Sequence, residues 1–313
     1  MGAYWYPWYG ADGRHWLEGY RGTPLLGEYD SADVAVIQQQ IAWASEYGVD
    51  FFAASWWGQG EFEDAVIGGP FLEALEGNDL RFAILYEAPG LLGMADGKIQ
   101  VDDATVRQRL IRDLTYLARS FLDHPAYLRV EDRPVVFIYL TRAFSGDVQE
   151  VLDEVRAAVV DEVGVDPFII GDEVYWQAPA VHRLAPLDGV TAYNMHTSVA
   201  GIADGFADKV RDKYASWARA AAAEGVAFVP DVIPGFDDTE VRPEAAHPVI
   251  PRRPELFATQ LEDALELANG PVRMVMITSW NEWHEDTSIE PSESFDLDYL
   301  TVLQSQVTAQ EQH

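Results

Sequence analysis

The 313-residue chain has no cysteine, only three lysines (Lys98, Lys209 and Lys213) and no long uninterrupted apolar run. Without cysteine there is no disulfide framework, no cysteine-based zinc site and no thiol nucleophile. Without about 18 consecutive apolar residues, nothing reads as a membrane-spanning helix. Positive charge is scarce throughout: Lys and Arg total 21 against 52 Asp and Glu, a formal charge of −31. A field of that sign repels phosphates and argues against nucleic acid as a partner. No Gly-x-Ser-x-Gly, P-loop or His-Glu-x-x-His occurs, which disfavours a serine nucleophile, nucleotide hydrolysis and a zinc protease.

What is abundant is apolar and aromatic. Hydrophobic residues make up 48% and aromatics 12%, with 10 Trp, a core-forming composition that argues against disorder. The first residues run Met1-Gly2-Ala3-Tyr4-Trp5-Tyr6-Pro7-Trp8-Tyr9, without the basic and aliphatic regions of a signal peptide. A soluble cytoplasmic protein is expected, although a chain trimmed of its leader reads the same. Few lysines and acid spread along the whole length fit adaptation to high salt, where carboxylates hold hydration and screening weakens their repulsion.

Short apolar runs alternate with longer stretches at helical period. Strands are expected at 2–9, 49–56, 81–87, 134–140, 167–172, 189–195, 226–233 and 272–280. Helices are expected at 31–48 (Val34, Ile37, Ile41 and Ala44 on one face, Ser31 as N-cap), 103–122, 147–163, 204–223, 254–269 and 295–309, with weaker ones near 62–77 and 179–185. Eight β-then-α units predict an α/β fold, a single (β/α)8 barrel over 1–313. An open doubly wound sheet is the alternative, but the turn after the first strand lacks Gly-x-Gly-x-x-Gly. Residues 234–254, proline-rich and carrying Arg242, Arg252 and Arg253, read as a surface connection, a lid or an interface.

In such barrels chemistry sits at the C-terminal strand ends. Gathered there are Trp8, His15, Trp56, Trp57, Glu87, Asp172, Glu173, Tyr193, His196, Asp237 and Asp238, then Asn281-Glu282-Trp283-His284-Glu285. A pyranose stacks its apolar face on aromatic rings and offers hydroxyls to carboxylates and amides, so the set reads as a sugar platform rather than as filling of the barrel mouth. Glu282 and Glu285 face one side if the chain turns helically there, with Cβ atoms about 5–6 Å apart. Glycoside cleavage needs one ionised and one protonated carboxyl. Mutual repulsion and apolar neighbours such as Trp283 split two pKa values in that way. The competing reading is that Glu282 or Glu285 caps the last helix or pairs with an arginine. A metal held by His284 with Glu282 and Glu285, or by Asp237 and Asp238, lacks supporting spacing.

The segments Tyr4-Trp5-Tyr6-Pro7-Trp8-Tyr9-Gly10, Ser55-Trp56-Trp57-Gly58 and Thr278-Ser279-Trp280-Asn281-Glu282-Trp283-His284-Glu285-Asp286-Thr287-Ser288-Ile289-Glu290-Pro291 resemble glycoside hydrolase family 99, the endo-α-1,2-mannosidase and mannanase family. The resemblance runs from the first strand to the last. It implies a (β/α)8 retaining glycosidase without metal or other cofactor, acting on an oligosaccharide or polysaccharide. It also implies a route without a protein–sugar ester, in which the substrate 2-hydroxyl attacks C1 to give a 1,2-anhydro sugar. In an α-mannoside those groups stand trans-diaxial, and the covalent tether saves association entropy. By motif, Glu282 resembles the base and Glu285 the acid. Glu87 resembles a sugar-contacting carboxylate, Tyr6 or Tyr9 and Tyr193 the tyrosine ligands, and Trp57 the aromatic of the neighbouring subsite. Asn281, Trp283 and His284, within the same motif, are taken as substrate-binding.

Two positions depart from the family pattern. Asp286 stands where the family commonly has Gly, and Ser288 where it has Gln. A carboxylate beside the acid is expected to change the bound sugar or raise the acid's pKa. The alternatives are therefore a glycan-binding or polysaccharide-biosynthesis barrel without hydrolysis, and an inverting glycosidase with carboxyls roughly 6.5–9.5 Å apart.

Overall fold

The computed structural model describes residues 1–198, 205–268 and 272–311. Eight parallel strand positions form a ring: Gly2–Trp5, Phe51–Trp56, Arg81–Tyr86, Arg133–Ile138, Phe168–Asp172, Gly189–Thr191, a split seventh position, and Met276–Ile277. The split position consists of Ala227–Phe228, which pairs with strand six, and Asp231–Val232, which pairs with strand eight. Val229 and Pro230 join them and keep the ring bonded. Val229 N–H donates to Val190 and Met276 N–H to the Pro230 carbonyl, each at 2.9 Å. Proline lacks an N–H, so the strand breaks there without losing closure.

Gly2 pairs with both Phe51 and Met276, so strand one has neighbours on both sides and the open-sheet alternative falls. A side chain at Gly2 would meet the Phe51 ring 2.1 Å away, which accounts for glycine at this crowded start. Every residue of Phe51–Trp56 is buried, as in a strand with the barrel interior on one face and helices on the other.

The long helices are Val34–Glu46, Ala104–Leu117 (prolonged by a wider turn, Ala118–Leu122), Val148–Val163, Phe206–Glu224, Pro254–Leu267 and Asp298–Glu311. Positions 204 and 269 of the expected helices lie outside the described residues. The first N-cap is Asp33, whose carboxylate accepts from Ala35 N–H, rather than Ser31. Ser31 instead accepts from Tyr9 N–H, tying down the loop after strand one. The weak helix at 62–77 is three short pieces with Pro70 inside, and that at 179–185 is one turn, Val181–Leu184. Small pairings at Ile99–Gln100 with Phe144–Ser145, and at Arg129–Val130 with strand four, were not legible in the sequence. Among the described residues no helix is long and apolar enough to cross a membrane.

Candidate active site

Alternation along each strand decides which side chains reach the barrel mouth. On strand one Trp5 points outward and donates to Gln40 of the first helix at 2.9 Å, while Tyr4 and Tyr6 point inward against Tyr193. Trp56 and Tyr86 point outward to Asp64 and Asp113. Ser55 and Glu87 therefore face inward and meet, with the hydroxyl donating to Oε1 at 2.6 Å.

These positions converge on a cavity of about 250 Å³ at the C-terminal end of the ring. Of the residues singled out from sequence, Tyr6, Trp57, Glu87, Tyr193, Glu282, His284 and Glu285 line it. Trp8, His15, Glu18, Tyr139 and Arg242 complete the wall. Trp8 centres the aromatic side: its ring lies 4.5 Å from Tyr6, 6.1 Å from Trp57 and 4.8 Å from His15, stacked on the last. Trp8 and His15 were visible as strand-end residues. Tyr139 was foreshadowed only by strand-four alternation, and Glu18 by nothing.

Three expected sugar contacts lie behind this wall instead. Asn281 is fully buried and clamps strand one, accepting from Tyr6 N–H at 2.7 Å and donating to the Tyr6 carbonyl at 3.0 Å. The Tyr9 hydroxyl donates to the Asn281 carbonyl at 3.1 Å, and its ring stacks on Trp16. Trp283 is fully buried in a satellite core with Tyr9, Trp16 and Tyr29. Its indole donates to Glu290, which also accepts from Tyr29 and Gln40. These residues hold the motif in place and do not line the cavity.

The segment 282–286 is a hydrogen-bonded turn, not a helix, with Asp286 N–H donating to the Trp283 carbonyl. It still brings both carboxyls to the cavity. Burial drives the Glu282 carboxyl far above its ordinary range, and the neighbouring Glu285 charge adds to this; a 3.0 Å hydrogen bond from His284 N–H opposes it. Glu285 goes the other way. Burial pushes it up, but the His196 ring and the Arg242 guanidinium outweigh burial and hold it at about 2. Arg242 donates to Oε1 at 2.6 Å, whereas His196 lies 3.8 Å from Oε2, beyond hydrogen-bond reach, so the arginine is the direct contact. The pairing of one glutamate with an arginine, the competing reading from sequence, thus holds for Glu285. Glu87 is pushed up to about 8 by burial, with Ser55 opposing and Glu285 and Asp172 reinforcing.

Asp286 does not line the cavity. It sits at φ 54°, a conformation that explains glycine at this place in the family pattern. Its carboxylate pairs at 2.8 Å with the buried Arg252, which also donates to the Ser288 carbonyl. The expectation that Asp286 raises the pKa of Glu285 is therefore corrected: its charge is met by Arg252, and Glu285 is lowered. Loop 234–254 forms part of the mouth. Phe236 and Ile250 bridge across it, Asp237 N–H donates to the Glu285 carbonyl at 2.9 Å, and Arg242 enters the cavity.

His15, Glu18 and His284 bring three potential metal-binding atoms within 4.8 Å of one another. The Nε2 of His284, however, lies 2.9 Å from the His15 carbonyl, an oxygen that can only accept a proton from it. That nitrogen is therefore a donor, not a free ligand. A larger groove of about 750 Å³, lined by Lys98, Arg142, Phe144 and Arg183 among others, contains neither glutamate of the pair.

Comparison with known proteins agrees with this geometry. The sequence profile described as Glycosyl hydrolase family 99 matches residues 18–311. A glycoprotein endo-alpha-1,2-mannosidase-like protein of Homo sapiens is 27% identical over 288 residues, covering 85% of this chain and 56% of that protein. The uncharacterized protein WxcX of Xanthomonas campestris pv. campestris is 24% identical, covering 93% of this chain and 44% of that protein. The chain thus spans about half the length of these relatives. Among solved structures, a GH99 endo-alpha-mannosidase from Bacteroides thetaiotaomicron superposes with a TM-score of 0.80 at 22% identity, covering 99% of this chain and 97% of that one.

Proposed function

The chain belongs to glycosyl hydrolase family 99, and from that premise we propose that it hydrolyses α-linked glycans, α-mannosides first among them, with retention at C1. The observation that carries this reading is the single cavity in which Glu282 and Glu285 stand beside Trp8, Trp57, Tyr6 and Tyr193. The aromatics offer a face to a pyranose, and the two buried carboxyls differ in their hold on a proton.

In the first step Glu282, as base, takes the proton of the substrate 2-hydroxyl while that oxygen attacks C1. The bond from C1 to the leaving oxygen breaks, and Glu285, as acid, gives that oxygen its proton. The product is a 1,2-anhydro sugar. In the second step water attacks C1, its proton passes to Glu285, and Glu282 returns its proton to O2. Each step needs one proton on the pair. The electrostatics of the free chain support that number but favour Glu282 as its holder. One proton must therefore change places before the first step.

Glu282→Gln and Glu285→Gln are each expected to lower turnover of an α-1,2-linked mannotriose by at least about a hundredfold. An α-mannobiosyl fluoride needs little acid help, so Glu285→Gln retains activity on it and Glu282→Gln does not. NMR of the first-formed product anomer separates retention from inversion. Near-full activity of both variants on the triose sinks the assignment. Asp286 motivated the non-hydrolytic alternative, and its position outside the cavity removes that motive.

A further inference from the structure

Glu285 has two oxygens, and neither is free to hand over a proton. Oε1 is capped by Arg242 at 2.6 Å. Oε2 is buried with no hydrogen-bond partner, facing a His196 ring whose own nitrogens are equally unpartnered. The arginine side chain is 48% exposed and the glutamate 11%, so the guanidinium approaches from the open side of the cavity. Its Nη1 is also 3.2 Å from Asp238, which offers it a second anchor on its own loop. Asp238 in turn contacts the His247 ring at 2.7 Å.

Resting on the glycosidase reading above, we propose that Arg242 is a positioning residue that decides which glutamate of the pair holds the shared proton. It caps and ionises Glu285 in the free enzyme, and the leaving-group sugar must draw it off Oε1 before Glu285 can act as an acid. Asp238 is close enough to retain the guanidinium when it moves. The reaction then starts only when the leaving-group side of the cavity is filled.

Other groups facing Glu285 are Glu282 and His284 from its own turn, His196 and Tyr193 beyond the end of strand six, and Tyr6, Glu87 and Tyr139, each one residue past strands one, three and four. Glu282 and Glu87 favour a proton on the pair, and a charged His196 opposes it. Arg242 is the one among them with a hydrogen bond to Glu285. The His247 ring and Arg242 share the same Asp238 oxygen, at 2.7 and 3.2 Å.

The test is a pH titration of 13C-carboxyl-labelled glutamate by NMR in the wild type, Arg242→Gln and Arg242→Lys, with Glu285→Gln to assign the resonance. In Arg242→Gln the Glu285 midpoint is expected to rise by at least about one pH unit, a tenfold change in proton affinity. Arg242→Lys keeps the charge and stays near the wild type. Because Glu282 holds the resting proton, the acid limb of kcat/KM on the α-1,2-linked mannotriose moves up with the Glu285 midpoint, while the rate on the fluoride does not. A merely structural role slows both substrates alike and leaves the limb in place. An unmoved midpoint in Arg242→Gln overturns the proposal, as does a moved midpoint with an unmoved limb. If the wild type turns over neither substrate, the glycosidase reading fails, and with it the gate; the titration then still decides whether Arg242 directs the proton.

Discussion

Glu87 tests whether burial sets the charge at this barrel mouth. Its carboxyl is 5% exposed, has no ion pair among the described residues, and is raised from its ordinary 4.5 to about 8 chiefly by burial. Between those two pH values the folded carboxyl holds a proton that the unfolded one has released. Stability falls with rising pH wherever the native state binds more protons, so the cost grows through this window and is complete above pH 8. A gap of roughly 3.5 pH units at about 1.36 kcal/mol each comes to on the order of 4–5 kcal/mol. Glu87→Gln keeps the volume and leaves an amide oxygen for the Ser55 hydroxyl, but does not titrate. The unfolding free energy of variant and wild type, from urea denaturation in 2 M NaCl to screen the overall charge, is expected to be similar at pH 5. By pH 9 the variant should be more stable by several kcal/mol. A difference that stays flat across this range, or reverses, refutes the argument that burial outweighs the Ser55 hydrogen bond at Glu87.

Trp57→Ala removes a ring from the cavity wall and is expected to raise KM for the mannotriose at least about tenfold with a smaller change in kcat, measured by initial rates. Asp286→Gly relieves a left-handed side chain but removes the carboxylate paired with Arg252. A net loss of about 1–3 kcal/mol by denaturation is expected, with kcat/KM within a few-fold of wild type. If the acidic composition is an adaptation to salt, the melting temperature at about 0.05 M NaCl falls several degrees below that at 2 M; equal values would rule that adaptation out.

The ring of strands was legible because each strand is a compact apolar run between helices with clear faces, and all eight positions fall where the pattern puts them. The seventh was read as one strand because the run is apolar on both sides of Pro230, but the pairing changes partner across that proline. Glu282 and Glu285 were legible from spacing, and Glu87 from its place one residue past strand three. Arg242 was visible only as one of three arginines in a long loop, because nothing local tells which of them turns inward. That Tyr9, Asn281 and Trp283 lie behind the cavity wall and not in it has one cause. A motif around a pair of acids contains both the residues that meet a ligand and those that fix the turn, and both kinds are polar or aromatic. Strand alternation separates them only while the chain stays extended, and beyond Ile277 it does not.

Arginine outnumbers lysine eighteen to three in a chain with a large excess of acid, and the contacts suggest why. A planar guanidinium can hold two carboxylates at once, which an ammonium point charge does less well. Arg107 bridges Glu150 and Glu154, Arg133 and Arg156 each bridge Asp166 and Asp188, and Arg242 bridges Asp238 and Glu285. With few cations available, each serves several acceptors. Arg156 makes the strongest case: it is 17% exposed and also donates to the carbonyls of Pro167 and Pro186. Arg156→Lys keeps the charge but cannot reach all four partners, so a loss of about 2 kcal/mol is expected by denaturation at moderate salt. Stability within about 0.5 kcal/mol of wild type would mean that charge alone matters there. It would also remove the geometric reason for arginine at the other structural bridges, Arg107 and Arg133.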